Sequence, residues 1–166
     1  MEGERVLIKK YLELVKFEHT IFALPFAYLG AILADKSVPS FRSWLWITLA
    51  MVGARTAGMS LNRLIDRFQD AKNPRTANRA LPKGIIKAGQ VWFLVAGSIF
   101  LLLISSYKLN MLCFLLSPAA IGLLFLYSYL KRWTVFTHLG LGLVLACAPV
   151  GGWIAVKGNL NLAPLI

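Results

Sequence analysis

Long apolar runs without acidic or basic side chains make up much of the second half of the chain. The three longest are Ala88–Tyr107, Leu109–Leu130 and Trp133–Val156. A helix of roughly twenty apolar residues is long enough to cross the hydrocarbon of a bilayer, and each of these runs reaches that length. All three are therefore predicted to span a membrane.

Two further apolar runs in the first half of the chain are less regular. Thr20–Ala34 is short for a span and reaches the required length only if Val15–His19 extend the helix. Ser43–Ala54 is apolar, but its helix is predicted to continue through Arg55 into a polar segment. That helix should end at Asn73–Pro74, because the residue before a proline disfavours helical geometry. The prediction is an all-α, polytopic transmembrane bundle in one domain, residues 1–166, with its N-terminus in the cytoplasm. Its five spans are placed at approximately 17–35, 43–70, 88–107, 109–130 and 134–156.

Composition supports a lipid bilayer as the main partner of the chain. Hydrophobic residues make up 58% of the sequence and charged residues only 15%, which is too few for the surface of a soluble domain. Cys113 and Cys147 lie inside apolar runs, with neither the spacing of a disulfide framework nor that of a metal finger. Glycines in the last run indicate close helix packing. They are Gly140, Gly142, Gly151 and Gly152.

The formal net charge is +11, and its distribution predicts orientation. Basic residues cluster in the N-terminal arm, in the segment Asp66–Lys87, and at Lys131 in a predicted inner turn, whereas the alternate loops hold few. The positive-inside rule places the basic segments in the cytoplasm, as expected for a multi-pass protein of the cell inner membrane. Attraction to anionic headgroups is a further explanation for Lys9, Lys10 and Lys16. No basic groove interleaved with aromatic residues is present, so a nucleic-acid partner is not expected.

Four polar residues interrupt the second predicted helix at regular intervals. Arg55, Asn62, Asp66 and Asp70 are spaced by seven, four and four residues, which places them on roughly one helix face. Charges at membrane depth cost several kcal/mol and normally face a bundle interior or a wet cavity. Two carboxylates one turn apart repel each other unless a cation lies between them, and oxygen ligands of this kind suit Mg²⁺. Asn62, Asp66 and Asp70 are therefore predicted to bind a metal ion.

A short polar loop follows these residues and carries Arg75, Arg79 and Lys83. Guanidinium groups hold phosphate oxygens in bidentate fashion. Carboxylates that bind a metal, close to arginines that bind phosphate, predict a site for a metal-bound diphosphate. The diphosphate would serve as a leaving group.

Other interpretations of the same residues remain open. Asp66 and Asp70 could be interfacial residues paired with Arg63 and Arg67, and Arg55 could extend towards the headgroups. An ion or solute transporter would use the buried charges as a pathway, but the last three predicted helices hold almost no polar residues of that kind. A non-catalytic membrane protein is the third alternative.

The polar segment resembles the first aspartate-rich motif of the UbiA superfamily of intramembrane aromatic prenyltransferases. The resemblance is carried by NRLIDRFQD at Asn62–Asp70 and by NPRTANRALPKG at Asn73–Gly84. Val15–Ala27 resembles the first helix of the family, Gly53–Arg55 its second, and Tyr127–Thr134 its fourth-to-fifth turn. The 4-hydroxybenzoate polyprenyltransferases are the most similar members, with the related menaquinone-pathway enzymes close by.

This resemblance implies an activity and a role for each residue. A polyprenyl group would pass from polyprenyl diphosphate to an aromatic acid such as 4-hydroxybenzoate, in ubiquinone or menaquinone biosynthesis. Asn62, Asp66 and Asp70 would be catalytic and would hold Mg²⁺ on the diphosphate. Arg55 would pair with the carboxylate of the acceptor. The remaining contacts to the diphosphate would come from Arg75, Arg79 and Lys131.

Members of this family have about nine spans and a second aspartate-rich motif at the cytoplasmic end of the sixth helix. The sequence to Ile166 holds the first motif only. It is therefore expected to correspond to the N-terminal part of the family fold, truncated relative to nine helices, and to hold one Mg²⁺ half-site. Its activity in isolation is in question on that ground.

Overall fold

A computed structural model of the chain describes residues 2–35, 38–133 and 137–159, with side chains described within 6–34, 38–130 and 140–159. These residues form helices and connecting loops, with no β-strand in the described ranges. The prediction of an all-α membrane bundle is confirmed. The helices are α1 Glu2–Val15, α2 Phe17–Asp35, α3 Phe41–Lys72, α4 Ala88–Leu109, α5 Met111–Trp133 and α6 Thr137–Lys157.

Four of the described helices are long and apolar enough to cross a membrane. The segments are Phe17–Ala34, Ala88–Leu109, Met111–Leu130 and Gly140–Lys157. Helix α3 is not among them, because Arg55 and neighbouring small or weakly polar residues dilute its apolar stretch. Its 32 residues correspond to about 48 Å, longer than the hydrocarbon core is thick. A fifth span in α3 therefore stays a prediction.

Helix α3 lies at the centre of the bundle and contacts all the other described helices. Helix α4 packs along one side of it, and α2 packs against α6. One buried cluster joins the ends of α1, α3 and α4 that lie nearest the polar loop, through residues such as Leu14, Leu61, Leu64 and Val91. A second cluster joins α2, α3 and α6 through Ala27, Ala31, Ile47 and Ala155.

Small residues allow α2 and α6 to approach closely. A Cβ atom added at Gly152 would overlap the carbonyl oxygen of Ala27, and one added at Gly30 would overlap that of Pro149. Such glycine contacts are typical of membrane helices, where the hydrophobic effect does not drive association and backbone packing does. Gly53 lies in a similar position against Ser98 and Leu102 of α4.

The structure corrects the sequence prediction at two helix ends. Phe17–His19 extend the first span as predicted, but Val15 and Lys16 do not, because α1 ends at Val15 and Lys16, with φ of 50°, separates it from α2. Lys131 belongs to α5 and not to an inner turn, since the helix continues to Trp133 although Pro118 lies within it. The side chain of Lys131 lies outside the described residues.

Residues 73–87, here called the inner loop, connect α3 to α4. Asn73 has extended backbone angles, φ −96° and ψ 120°, as expected for a residue before proline. Leu81 and Ile86 are buried in the cluster shared with α3 and α4. Turn hydrogen bonds from the amides of Ile85 and Ile86 to the carbonyl of Ala80 close the loop on itself. The inner loop is therefore packed against the bundle.

Candidate active site

The four polar residues singled out in the sequence lie on one unbroken helix. Helix α3 runs from Phe41 to Lys72 and contains Arg55, Asn62, Asp66 and Asp70. At 100° per residue, seven- and four-residue steps turn the side-chain direction by about 20° and 40°, so the four positions share a face. The structure thus supplies the continuous helix that these positions require to form one polar stripe. Arg55, Asn62, Asp66 and Asp70 are here called the stripe.

Asp70 is the best-defined member of this stripe. Its Oδ2 atom accepts a hydrogen bond of 2.7 Å from Nη1 of Arg79 in the inner loop. Nη1 of Arg63 lies 4.0 Å from the same oxygen. The side chain of Asp70 is 11% exposed, whereas that of Arg79 is 38% exposed. A nearly buried carboxylate is therefore shared by two guanidinium groups.

Thr76 joins the inner loop to the end of α3 a second time. Its hydroxyl donates to the backbone carbonyl of Asp70 at 2.9 Å and lies 3.5 Å from that of Asn73. Carbonyl groups in the last turn of a helix lack partners within the helix, so this contact satisfies one of them. Thr76 could not be recognised as a site residue from the sequence, because a threonine in a polar loop carries no distinctive pattern.

The other predicted phosphate contacts lie in the same loop. The backbone amide of Arg75 donates to Oδ1 of Asn73 at 3.0 Å, and its side chain is exposed. Lys83 is exposed as well. The alternative that the two aspartates pair with Arg63 and Arg67 is supported in part, because Arg63 lies near Asp70. The guanidinium of Arg67 instead lies 4.5 Å from the ring centre of Phe68.

Arg55 lies at the other end of the stripe, beside an apolar cavity of about 320 Å³. The cavity is bounded by α2, α3, α4, α5 and α6, with Ala27, Leu102 and Leu124 among its lining residues. Nη2 of Arg55 donates to the backbone carbonyl of His19 at 3.5 Å, a long hydrogen bond. Its Nε atom is buried and has no hydrogen-bond partner among the described residues. Arg55 is the charged side chain among the residues that line this cavity.

The donor chemistry of the stripe suits a hard cation. Within the described ranges, no three His, Cys, Asp or Glu side chains come together as metal ligands. The predicted set instead offers two carboxylates and an amide, all oxygen donors that Mg²⁺ accepts. Asn62 and Asp66 are partly buried, and Asp70 is held by Arg79. The assignment of these residues to a metal stays a prediction.

Comparison with known proteins places the chain in a family. The family model described as the UbiA prenyltransferase family matches residues 23–166. A protoheme IX farnesyltransferase from Methylococcus capsulatus is 33% identical over 159 residues, covering 92% of this chain and 52% of the relative. A 4-hydroxybenzoate octaprenyltransferase from Vibrio atlanticus is 34% identical over 131 residues, covering 78% of this chain and 45% of the relative. The chain thus spans about half the length of the curated relatives it matches.

Solved structures show the same arrangement of helices. A UbiA homolog from Aeropyrum pernix superposes with a TM-score of 0.82 at 37% identity, covering 89% of this chain and 55% of the homolog. A UbiA homolog from Archaeoglobus fulgidus, solved bound to DMAPP and Mg²⁺, gives a TM-score of 0.75 at 21% identity, covering 91% of this chain and 55% of that one. The resemblance carried by the polar segment of α3 and the inner loop is confirmed, and this chain belongs to the UbiA prenyltransferase family.

Proposed function

We propose that this chain takes part in the transfer of a prenyl group from a prenyl diphosphate to an aromatic acid inside a membrane. One observation carries the proposal. Helix α3 joins an end where Arg79 and Arg63 lie against Asp70 to an apolar cavity that Arg55 lines. A diphosphate with an apolar tail, and an acceptor with a carboxylate, match these two environments.

Asn62 and Asp66 are the residues proposed to hold Mg²⁺. The bound ion would neutralise the charge that develops on the departing diphosphate. Arg75 and Arg79 would bind the phosphate oxygens from the inner loop, and Lys131 would add a contact from α5. The A. fulgidus homolog, which was solved with DMAPP and Mg²⁺, supports a metal-dependent site of this kind in the family.

The apolar cavity would protect the reacting carbon from water. Loss of diphosphate from an allylic substrate leaves a carbocation, which water would quench unless the walls exclude it. Arg55 would hold the carboxylate of the acceptor through charge-assisted hydrogen bonds and so direct the aromatic ring. A 4-hydroxybenzoate-type acid is the proposed acceptor, in keeping with the name of the V. atlanticus relative and with quinone biosynthesis.

The M. capsulatus relative, named for a haem substrate, makes a protohaem acceptor the second candidate. We also propose that the inner loop and the N-terminus face the cytoplasm of a cell with this chain in its inner membrane. The basic residues of the inner loop support this orientation, because cytoplasmic segments of membrane proteins are enriched in lysine and arginine.

The test uses the purified chain in lipid nanodiscs. Geranyl diphosphate should bind in the presence of Mg²⁺ and at least tenfold more weakly without it, and prenylated 4-hydroxybenzoate should form together with free diphosphate. Asp66→Asn should abolish the Mg²⁺-dependent binding, because it removes a charged ligand. Gln69→Ala, an exposed position on the same helix, is the matched control and should bind normally.

Three outcomes separate the candidates. Prenylation of protohaem in place of 4-hydroxybenzoate would favour the second acceptor. Charge movement across vesicle membranes without diphosphate binding would favour a transporter. Absence of Mg²⁺-dependent binding by the wild-type chain would overturn the proposed function.

A further inference from the structure

Asp70 lies against two arginines. Its Oδ2 atom is hydrogen-bonded to Arg79 at 2.7 Å and lies 4.0 Å from Nη1 of Arg63. A metal ion on that oxygen would lie close to two guanidinium groups. Like charges at such distances repel strongly, most of all where little water screens them. The arrangement therefore favours a guanidinium over a divalent cation as the partner of Asp70.

The burial of Asp70 also argues against a bound metal ion. The Asp70 side chain is 11% exposed, and Mg²⁺ in proteins usually keeps several of its water ligands. A carboxylate with so little open surface has little room for a hydrated ion. An ionised carboxylate at this depth instead needs a hydrogen-bonded countercharge, and Arg79 provides one.

Asp70 also fixes the backbone of the inner loop. Its carbonyl accepts from the Thr76 hydroxyl at 2.9 Å, three residues before the arginine that its carboxylate holds. Leu81 and Ile86 are buried on the other side of Arg79. Arg79 is thus held by the hydrogen bond of its guanidinium and by the contacts of residues before and after it in the loop. Even so, 38% of its side chain stays exposed. Guanidinium has five N–H donors, so others remain for a phosphate.

We propose that Asp70 is a positioning residue that acts through Arg79, and that it is not a metal ligand. It holds the Arg79 guanidinium at the C-terminal end of α3, where that group binds the diphosphate. Asn62 and Asp66 then form the metal-binding part of the stripe without it. This inference rests on the proposed function, because it gives Arg79 a phosphate to bind.

The first experiment measures metal binding without substrate. Mn²⁺, which has an electron paramagnetic resonance signal, replaces Mg²⁺ in a titration of the full chain in nanodiscs. Asp66→Asn should weaken Mn²⁺ binding at least tenfold, whereas Asp70→Asn should change it less than twofold. In titrations with geranyl diphosphate at saturating Mg²⁺, Asp70→Asn should weaken binding about tenfold.

A double-mutant cycle tests whether Asp70 acts through Arg79. The Asp70→Asn change should weaken diphosphate binding in the wild-type background and have little further effect in an Arg79→Gln background. Amide hydrogen exchange gives a readout that needs no ligand. Residues 73–87 should exchange faster in Asp70→Asn and at the wild-type rate in Gln69→Ala, the exposed control position.

The outcomes separate this inference from the proposed function. Loss of Mn²⁺ binding in Asp70→Asn equal to that in Asp66→Asn would overturn the positioning role and leave the proposed function standing. A wild-type chain that binds neither Mn²⁺ nor geranyl diphosphate would overturn both. If Asp70→Asn does not fold, Arg79→Lys replaces it. That variant should show faster loop exchange and weaker diphosphate binding with unchanged Mn²⁺ affinity, and unchanged loop exchange would contradict the inference.

Discussion

Arg55 is partly buried next to an apolar cavity, and only its Nη2 atom makes a hydrogen bond that the structure defines. A cationic group in such surroundings is costly unless an anion accompanies it. The helical spacing was enough to place Arg55 on the same face as Asn62. The sequence could not show the cavity, because its walls come from five helices that are far apart along the chain.

Replacement of Arg55 by leucine should affect the acceptor selectively. Hydrogen bonds to charged groups contribute about 1.5–3 kcal/mol, so the affinity for 4-hydroxybenzoate should fall about 10- to 100-fold. Geranyl diphosphate should bind as in the wild type. Binding of each compound by calorimetry in nanodiscs measures both effects.

A neutral analogue is the control for this prediction. The affinity for 4-hydroxybenzyl alcohol, which lacks the carboxylate, should change little in Arg55→Leu. Thermal stability should be equal or higher, since an apolar side chain replaces a buried charge. An equal loss of affinity for the acid and the alcohol would show that Arg55 shapes the cavity and does not bind the carboxylate.

Asp66 and Asp70 show a similar limit to what the spacing of residues in a sequence can predict. Spacing identified Asp66 and Asp70 as equivalent carboxylates, since both lie on one helix face. The structure pairs Asp70 with Arg79, nine residues away in the inner loop. That contact depends on how the loop folds back on α3, and no helical or strand period encodes it.

At the scale of helices, the crossing of α2 and α6 depends on which glycine faces the partner. The sequence indicated close packing from four glycines in the last run. The structure assigns the contact with the α2 backbone to Gly152, whereas a Cβ at neighbouring Gly151 would meet no atom within 4 Å. Adjacent helical positions point about 100° apart, so the choice requires knowledge of the helix orientation.

Gly152→Ala should therefore destabilise the bundle. The new methyl group would overlap the carbonyl oxygen of Ala27 and force α2 away from α6. Overpacking of this kind typically costs about 1–3 kcal/mol, which should lower the midpoint of thermal unfolding in detergent by several degrees.

The matched control is Gly151→Ala. Alanine favours a helix over glycine by about 1 kcal/mol, and space is available at this position, so the unfolding midpoint should stay the same or rise. Equal destabilisation by both substitutions would mean that the α2–α6 contact does not use the Gly152 face.

At the scale of the whole molecule, hydropathy and charge predicted different parts of the architecture. The apolar runs correspond to α2, α4, α5 and α6, because length and composition suffice to recognise such helices. Helix α3 needed a separate argument from its polar spacing, since Arg55 lowers its hydropathy. Helix α1 was not predicted, because its mixture of charged and apolar residues resembles a basic arm.

The two ends of the bundle differ in charge in a way that predicts orientation. The inner loop carries Arg75, Arg79, Lys83 and Lys87 within 15 residues, whereas the opposite end of the described bundle has Arg42, Lys108 and Lys157 spread over three helices. Lysine and arginine in short loops are retained on the cytoplasmic side during insertion. The inner loop should therefore face the cytoplasm and the end of α6 should face the opposite side.

Cysteine labelling in intact bacterial cells measures this orientation. In a background with Cys113→Ala and Cys147→Ala, single cysteines are placed at two exposed sites, Asn78→Cys in the inner loop and Asn159→Cys beyond α6. A membrane-impermeant maleimide should label Asn159→Cys in intact cells and Asn78→Cys only after lysis. A permeant maleimide should label both and controls for reactivity. The reverse pattern would place the proposed diphosphate site on the far side of the membrane, where cytoplasmic prenyl diphosphates could not reach the arginines of the inner loop.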